Sequence, residues 1–200
     1  MLFLLAAGLT LVFGIMDMIN LAHGSLYMLG AYLAASAAAA SGSFVLGVAG
    51  GVAGAAVFGV LLELSVLRRL YARDHLSQVL GTFALLLMAN EAVRFVWGSQ
   101  PIALSPPEAL AGPVELLPGF SYPAYRLLII GVGLAVALGL WLLITRTRVG
   151  MRVRAGASNR EMAMAMGADV RRPFTALFAL GAALCGVAGA LLGPLLAVQV

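Results

Sequence analysis

TRTRVGMRVRAGASNREMAMAMGADVRR, Thr145–Arg172, decides the fold of this chain. It is a polar stretch set between two long apolar runs, Leu127–Ile144 and Phe174–Val198. Seven arginines stand in it against two acids, Glu161 and Asp169. Arginine-rich loops between apolar runs are the positive-inside pattern of membrane topology. Within the stretch, Ser158 and Glu161 form an S-x-x-E capping box, whose hydroxyl and carboxylate satisfy the orphan N–H groups of a helix start. Gly167 follows as a stop signal, since glycine takes the left-handed conformation without steric cost. Met162, Ala165 and Met166 share one face at i, i+3, i+4 spacing. The spacing predicts a helix of about two turns over 158–167 with a small apolar face, too short to be stable alone and so held by a partner or by the membrane surface.

The composition agrees. The chain of 200 residues is 62% hydrophobic and 10% charged, against about 25% charge in a soluble domain, and its mean hydropathy is +1.05. These values predict an all-α, polytopic transmembrane bundle in a lipid bilayer, a single membrane domain over 1–200. The net charge of +4 does not point to nucleic acid, because the arginines cluster in two loops between apolar runs. The one cysteine, Cys185, lies inside an apolar run, so no intrachain disulfide is possible. The N-terminus MLFLLAAGLTLVFG has no basic region and no A-x-A site, so it reads as a membrane segment and not as a signal peptide.

Spans can be laid out from end to end, about six in all. The first forty residues are apolar except at Asp17–Gly24, DMINLAHG, and predict two helices meeting at a break near Asn20–Gly24. Phe44–Leu67 is a third span, in which Gly47-x-x-x-Gly51 and Gly50-x-x-x-Gly54 allow close helix approach. A basic loop follows at 68–75, then a fourth span, Val79–Val96, with Trp97 as an interfacial anchor. Gly98–Tyr125 holds six prolines and no basic residue, which predicts an irregular outer loop. Leu127–Ile144 is the fifth span, and Phe174–Val198 the last, kinked by Pro194. With loops 68–75 and 145–172 both cytoplasmic, the topology closes without contradiction.

The break is the first candidate for chemistry. Irregular backbone at membrane depth persists only where protein or a watery cavity surrounds it, so Asp17, Asn20, His23 and Gly24 are candidates for a translocation path. The alternative is a plain linker at the membrane surface. His23 has no second ligand at metal-site spacing. Glu91 and Arg94 stand i, i+3 on the fourth span and read as a locally neutralised pair. Enzyme motifs are missing: no G-x-S-x-G, no H-E-x-x-H, and, without any lysine, no Walker A loop. Any ATP and Mg used for uphill transport would sit on another chain.

Gly8–Ala34, GLTLVFGIMDMINLAHGSLYMLGAYLA, resembles the N-terminal signature of branched-chain amino-acid ABC transporter permeases of the LivH type. Met18, Ile19, Asn20, Ala22, His23 and Gly24 match its M-I-N-x-A-H-G core. The segment from Gly150 to Gly193 is similar to the loop by which such permeases dock on their ATPase. Glu161, Ala163 and Gly167 take the positions of the wider E-A-A-x-x-x-G signature, and Met162 stands where that signature has an alanine. Glu63–Leu70, ELSVLRRL, is a looser match to a third family segment, and Thr82 and Trp97–Gly98 fit the fourth-span pattern.

The resemblance implies a second permease subunit, two cytoplasmic ATPases and an external solute-binding protein, all at the inner membrane. It implies alternating access driven through Ser158, Glu161, Met162, Ala163, Met166 and Gly167, with no cofactor on this chain. Family members are longer, so a truncated copy, lacking the first helix and the C-terminal third, is expected. Two other readings stay open: a gradient-driven carrier that binds at the broken helix, and a remnant that no longer transports.

Overall fold

The computed structural model describes residues 2–16, 18–71, 73–100, 102, 104, 106–107, 110, 112–117, 120–158, 162, 166, 171–195 and 198. Helix α1 (Leu2–Met16) is followed by the break and by α2 (His23–Ser41). Helix α3 runs Phe44–Leu70, with its α-helical body at Phe44–Leu62 and a π turn at Glu63–Leu67. Helix α4 is His75–Trp97, β1 Pro113–Leu117, β2 Phe120–Pro123 and α5 Ala124–Arg146. The basic loop contributes α6 (Arg148–Ser158), and α7 is Arg171–Leu192. Among the described residues four helices are long and apolar enough to cross a membrane: Phe44–Leu70, His75–Trp97, Ala124–Arg146 and Pro173–Leu192. The 15-residue α1 is shorter. The 19-residue α2 would span about 28 Å by its rise, and from His23 to Ala35 it is largely buried among its neighbours.

Packing is centred on α2, α3 and α7. Lipid tails are as apolar as leucine, so helices in a membrane gain little from hiding apolar surface and depend on close contact instead. Three glycines provide it. A Cβ on Gly30 of α2 would lie 2.6 Å from the Cα of Gly186 on α7, and one on Gly51 of α3 would lie 2.6 Å from the carbonyl oxygen of Gly30. Any side chain here would push three backbones apart. Towards the basic end, Val12, Met16, Met18, Leu26, Leu67, Phe174 and Phe178 fill the space that opens between the helices. At the opposite end the Trp97 indole N–H donates to Ser36 Oγ at 2.7 Å and its ring lies 5.5 Å from Tyr32, which joins α4 to α2. The Tyr125 hydroxyl donates to the Leu191 carbonyl at 2.7 Å and joins α5 to α7. Outward faces stay apolar, with Leu76, Leu80, Phe83 and Leu87 on α4 and Ile130, Leu134 and Leu138 on α5 exposed as a lipid-facing surface requires.

The structure departs from the sequence expectations in four places. The proline-rich loop is not wholly irregular: β1 and β2 form an antiparallel hairpin in which Pro113 pairs with Pro123 and Val114 with Tyr122. Prolines at the strand ends cost the ladder little, because a missing donor there faces outward. Pro194 does not kink the last span; α7 ends at Leu192 and the chain turns, and Val198 forms a bridge to Ile102. The loop expected at 68–75 is shorter, since α3 continues to Leu70. Asp74 then starts α4 as an N-cap, accepting from the Ser77 N–H at 3.2 Å and the Ser77 hydroxyl at 2.6 Å. Finally, the basic stretch carries an 11-residue helix, α6, that the capping signals did not reveal.

Candidate functional site

The break between α1 and α2 lies inside the bundle. Asn20 is 4% exposed and His23 and Ser25 are equally buried. Asn20 Oδ1 accepts from the Ala22 N–H at 3.1 Å, a local bond that turns the chain into α2. The imidazole of His23 fits where α1 and α7 have no side chain: a Cβ on Gly8 would come within 2.9 Å of His23 Nε2 and 3.0 Å of the Gly181 carbonyl oxygen. Gly8 and Gly181 each stand about halfway along their helices, so α2 begins about halfway along α1 and α7 and not at their ends. His23 Nε2 lies 3.0 Å from Cys185 Sγ. From α4, the Thr82 hydroxyl bonds its own helix at the Gln78 carbonyl, 2.8 Å away, and sits 3.4 Å from the Ile19 carbonyl. The linker reading does not fit these positions. Asp17 lies outside the described residues, and Gly24 is exposed with nothing within 4 Å of where its Cβ would be.

This region leaves polar atoms without partners. Asn20 Nδ2, His23 Nδ1 and Ser25 Oγ are buried and take no hydrogen bond; away from the break, on α4, Gln78 Oε1 is also unpartnered while its Nε2 donates to the Leu70 and Arg73 carbonyls. Each such atom costs about 1–3 kcal/mol, and interiors avoid them except where a ligand, water or motion gives a reason. Among the described residues no three histidine, cysteine or acidic side chains converge as a metal would need.

A second polar cluster sits nearer the basic end. Glu63, 1% exposed, accepts from Thr175 Oγ1 at 3.0 Å and from the Tyr71 hydroxyl at 3.4 Å. Arg68 Nε lies 3.6 Å from the same carboxylate and its guanidinium also donates to Thr175 Oγ1 at 3.2 Å. The π turn explains the spacing. Residues five apart stand roughly 140° apart around an α-helix at about 3.6 residues per turn, whereas a π turn bonds i to i+5 and brings them to one side. Glu63 was visible in sequence as an acid in an apolar run; its partner on α7 was not.

The basic loop is placed in part. Arg154 of α6 donates to the Ile144 carbonyl at the end of α5, and the Gly150 N–H bonds Thr147 Oγ1 at 3.0 Å. Val153 is buried with Leu11, Leu177 and Leu184, which ties α6 to α1 and α7. Ser158 is the last residue of α6. Met162 is helical, and the Met166 N–H bonds its carbonyl at 3.0 Å, so one turn presents both methionines, 62% and 81% exposed. Glu161, Ala163 and Gly167 lie outside the described residues. On α4 the Glu91–Arg94 pair forms as expected, at 3.3 Å and on the exposed side. Sequence reasoning missed Ser25 and Cys185 as site residues, whose types are unremarkable until the helices bring them to the break.

The profile of a family described as branched-chain amino acid transport system / permease component matches residues 1–200. The chain is 30% identical over 202 residues to the high-affinity branched-chain amino acid transport system permease protein LivH of Salmonella typhimurium, covering 95% of this chain and 65% of that protein. It is 29% identical over 203 residues to LivH of Escherichia coli K12, with the same coverage. It therefore spans about two thirds of the length of the curated relatives it matches. No solved structure matches it.

Proposed function

The chain belongs to the branched-chain amino acid transport system permease family, and from that membership we propose that it is the membrane permease subunit of an ATP-driven importer for branched-chain or related amino acids. In this reading it works at the inner membrane with a second permease subunit, two cytoplasmic ATPases bearing ATP and Mg, and an external solute-binding protein. Loops 68–75 and 145–172 face the cytoplasm. The residues 1–200 act as one permease domain, and the stretch 158–167, with Ser158, Glu161, Met162, Ala163, Met166 and Gly167, docks on an ATPase.

The observation that carries the reading is the position of α7. Its first residues, Arg171 and Arg172, are the end of the basic loop, and Gly181 and Cys185 farther along pack on His23 at the break. A push on the loop therefore reaches the break along one rigid helix. The exposed Met162 and Met166 provide the apolar contact such a push needs. On the way, Thr175 of α7 holds Glu63 of α3, so α3 moves with α7 or the buried bond must break.

The reading is tested by co-purifying the tagged chain with candidate ATPase subunits, wild type beside Glu161→Ala, followed by uptake of radiolabelled L-leucine. Retention of ATPase by wild type and its loss with Glu161→Ala supports coupling through this stretch. Correct insertion with no ATPase in either sample would refute it, and an ion-gradient dependence of uptake would then favour a secondary carrier.

A further inference from the structure

Helix α2 starts about halfway along α1 and α7 with its N-terminus turned into the bundle, and that end is built to receive an anion. A helix N-terminus carries about half a positive charge and backbone N–H groups without intrahelical partners. In α2 the N-cap is Ala22, which has no side-chain oxygen to give. The His23 and Ser25 N–H groups find the Asn20 and Ala22 carbonyls, at 3.4 and 3.1 Å. The Gly24 N–H takes no bond among the described residues.

Three side chains at the same end carry the argument beyond the helix terminus. Asn20 Nδ2 and Ser25 Oγ are buried and unpartnered. His23, whose Nε2 lies 3.0 Å from Cys185 Sγ, has a likewise buried and unpartnered Nδ1. The acceptor of the Asn20 amide is already used by the Ala22 N–H, so what remains is a donor. Beside them, Gly24 faces open space. Donors without acceptors next to an opening suit a carboxylate and repel an ammonium group. Broken helices in transporters present their N-termini to anionic substrate groups in this way.

We propose that Asn20, Gly24 and Ser25 at the start of α2 form the subsite that takes the α-carboxylate of the transported amino acid. The proposal rests on the transport reading above. It assigns the two ends of the substrate differently: the carboxylate lies against α2, and the ammonium group points away from it. It also gives the buried Asn20 Nδ2 and Ser25 Oγ an acceptor.

The test uses the assembled transporter in nanodiscs, with L-leucine and its uncharged-carboxyl analogue L-leucinamide as probes of thermal stability, and L-leucine uptake as a second readout. For wild type, L-leucine raises Tm and L-leucinamide does not. Asn20→Asp, which sets a negative charge against the carboxylate, raises the half-maximal L-leucine concentration at least about tenfold, as expected for a lost charge-assisted bond. Ser25→Ala raises it about threefold to tenfold and keeps the unliganded Tm of wild type, since the hydroxyl it removes has no partner. Equal stabilisation by leucine and leucinamide overturns the subsite while wild-type uptake keeps the transport reading alive. Unchanged leucine response in both variants does the same. Loss of unliganded Tm in both variants would assign these residues a structural role and also overturn it. A wild-type assembly that neither imports nor is stabilised by any branched-chain amino acid removes the transport reading and the subsite together.

Discussion

Along α7, Thr175 and Cys185 each touch a buried polar group of another helix, about 15 Å apart by helical rise, and the two neighbourhoods are built in opposite ways. At Thr175 the Glu63 carboxylate is fully engaged, by a hydroxyl from α7, by Tyr71 and by Arg68. At Cys185 the break holds His23, Asn20 and Ser25 with unbonded atoms. A satisfied buried network fixes two helices to each other. An unsatisfied one stores free energy that a ligand or a movement can release. The first region therefore behaves as a joint and the second as a receiving surface. Beside the break Gly24 faces open space, while Gly8 and Gly181 are packed closely around His23.

The largest effect expected from testing this contrast is at the joint. Thr175→Val keeps the side-chain shape and removes a hydrogen bond to a buried carboxylate, so it should destabilise the chain by about 2 kcal/mol, read from unfolding in mixed detergent micelles. Arg68 is half exposed, so Arg68→Ala should cost less, about 1 kcal/mol after solvent screening. A variant Thr175→Val as stable as wild type would dissolve the distinction between the two regions.

At the break the same experiment should give smaller numbers. Asn20→Ala loses the bond to the Ala22 N–H and nothing at Nδ2, a cost of about 1 kcal/mol. Ser25→Ala removes a hydroxyl that has no partner, so stability should stay within about 0.5 kcal/mol or rise. A large loss in Ser25→Ala would mean that this hydroxyl is structurally engaged.

The smallest effect concerns Asp74, which lies outside both regions and serves as a control. Its bonds from the Ser77 hydroxyl and N–H hold its carboxyl below the usual carboxylate range. A depressed folded value contributes stability that is present above the unfolded value and is lost as pH falls through the folded one. The Tm difference between wild type and Asp74→Asn should therefore be constant near neutrality and shrink below about pH 4. A difference that persists unchanged into that acid range would show that the cap does not depend on the charge.

Much of this was legible in the order of residues. The apolar runs, the small-residue pairs at Gly47 and Gly51, and the interruption at Asn20–Gly24 announce spans, close packing and a break, because each is a local pattern. The hairpin at 113–123 was not legible, since its prolines read as breakers until their place at the strand ends is known. Nor was α6, whose fixing contacts come from Leu11 on α1 and Leu177 on α7. Glu63 and Arg68 are five apart, a spacing that means nothing in an α-helix and becomes a pair only through the π turn.

The sequence by itself determined that this is a helical membrane protein with two basic loops and a broken segment, because a bilayer obliges each span to satisfy its own backbone and leaves its length and hydropathy in the residue order. Only the tertiary structure decided which polar groups are answered and which are not. His23 meets Cys185 across 162 residues and Glu63 meets Thr175 across 112. Whether two helices approach closely enough for such bonds depends on three-body packing, as where Gly30, Gly51 and Gly186 meet, and no single stretch of chain contains that information.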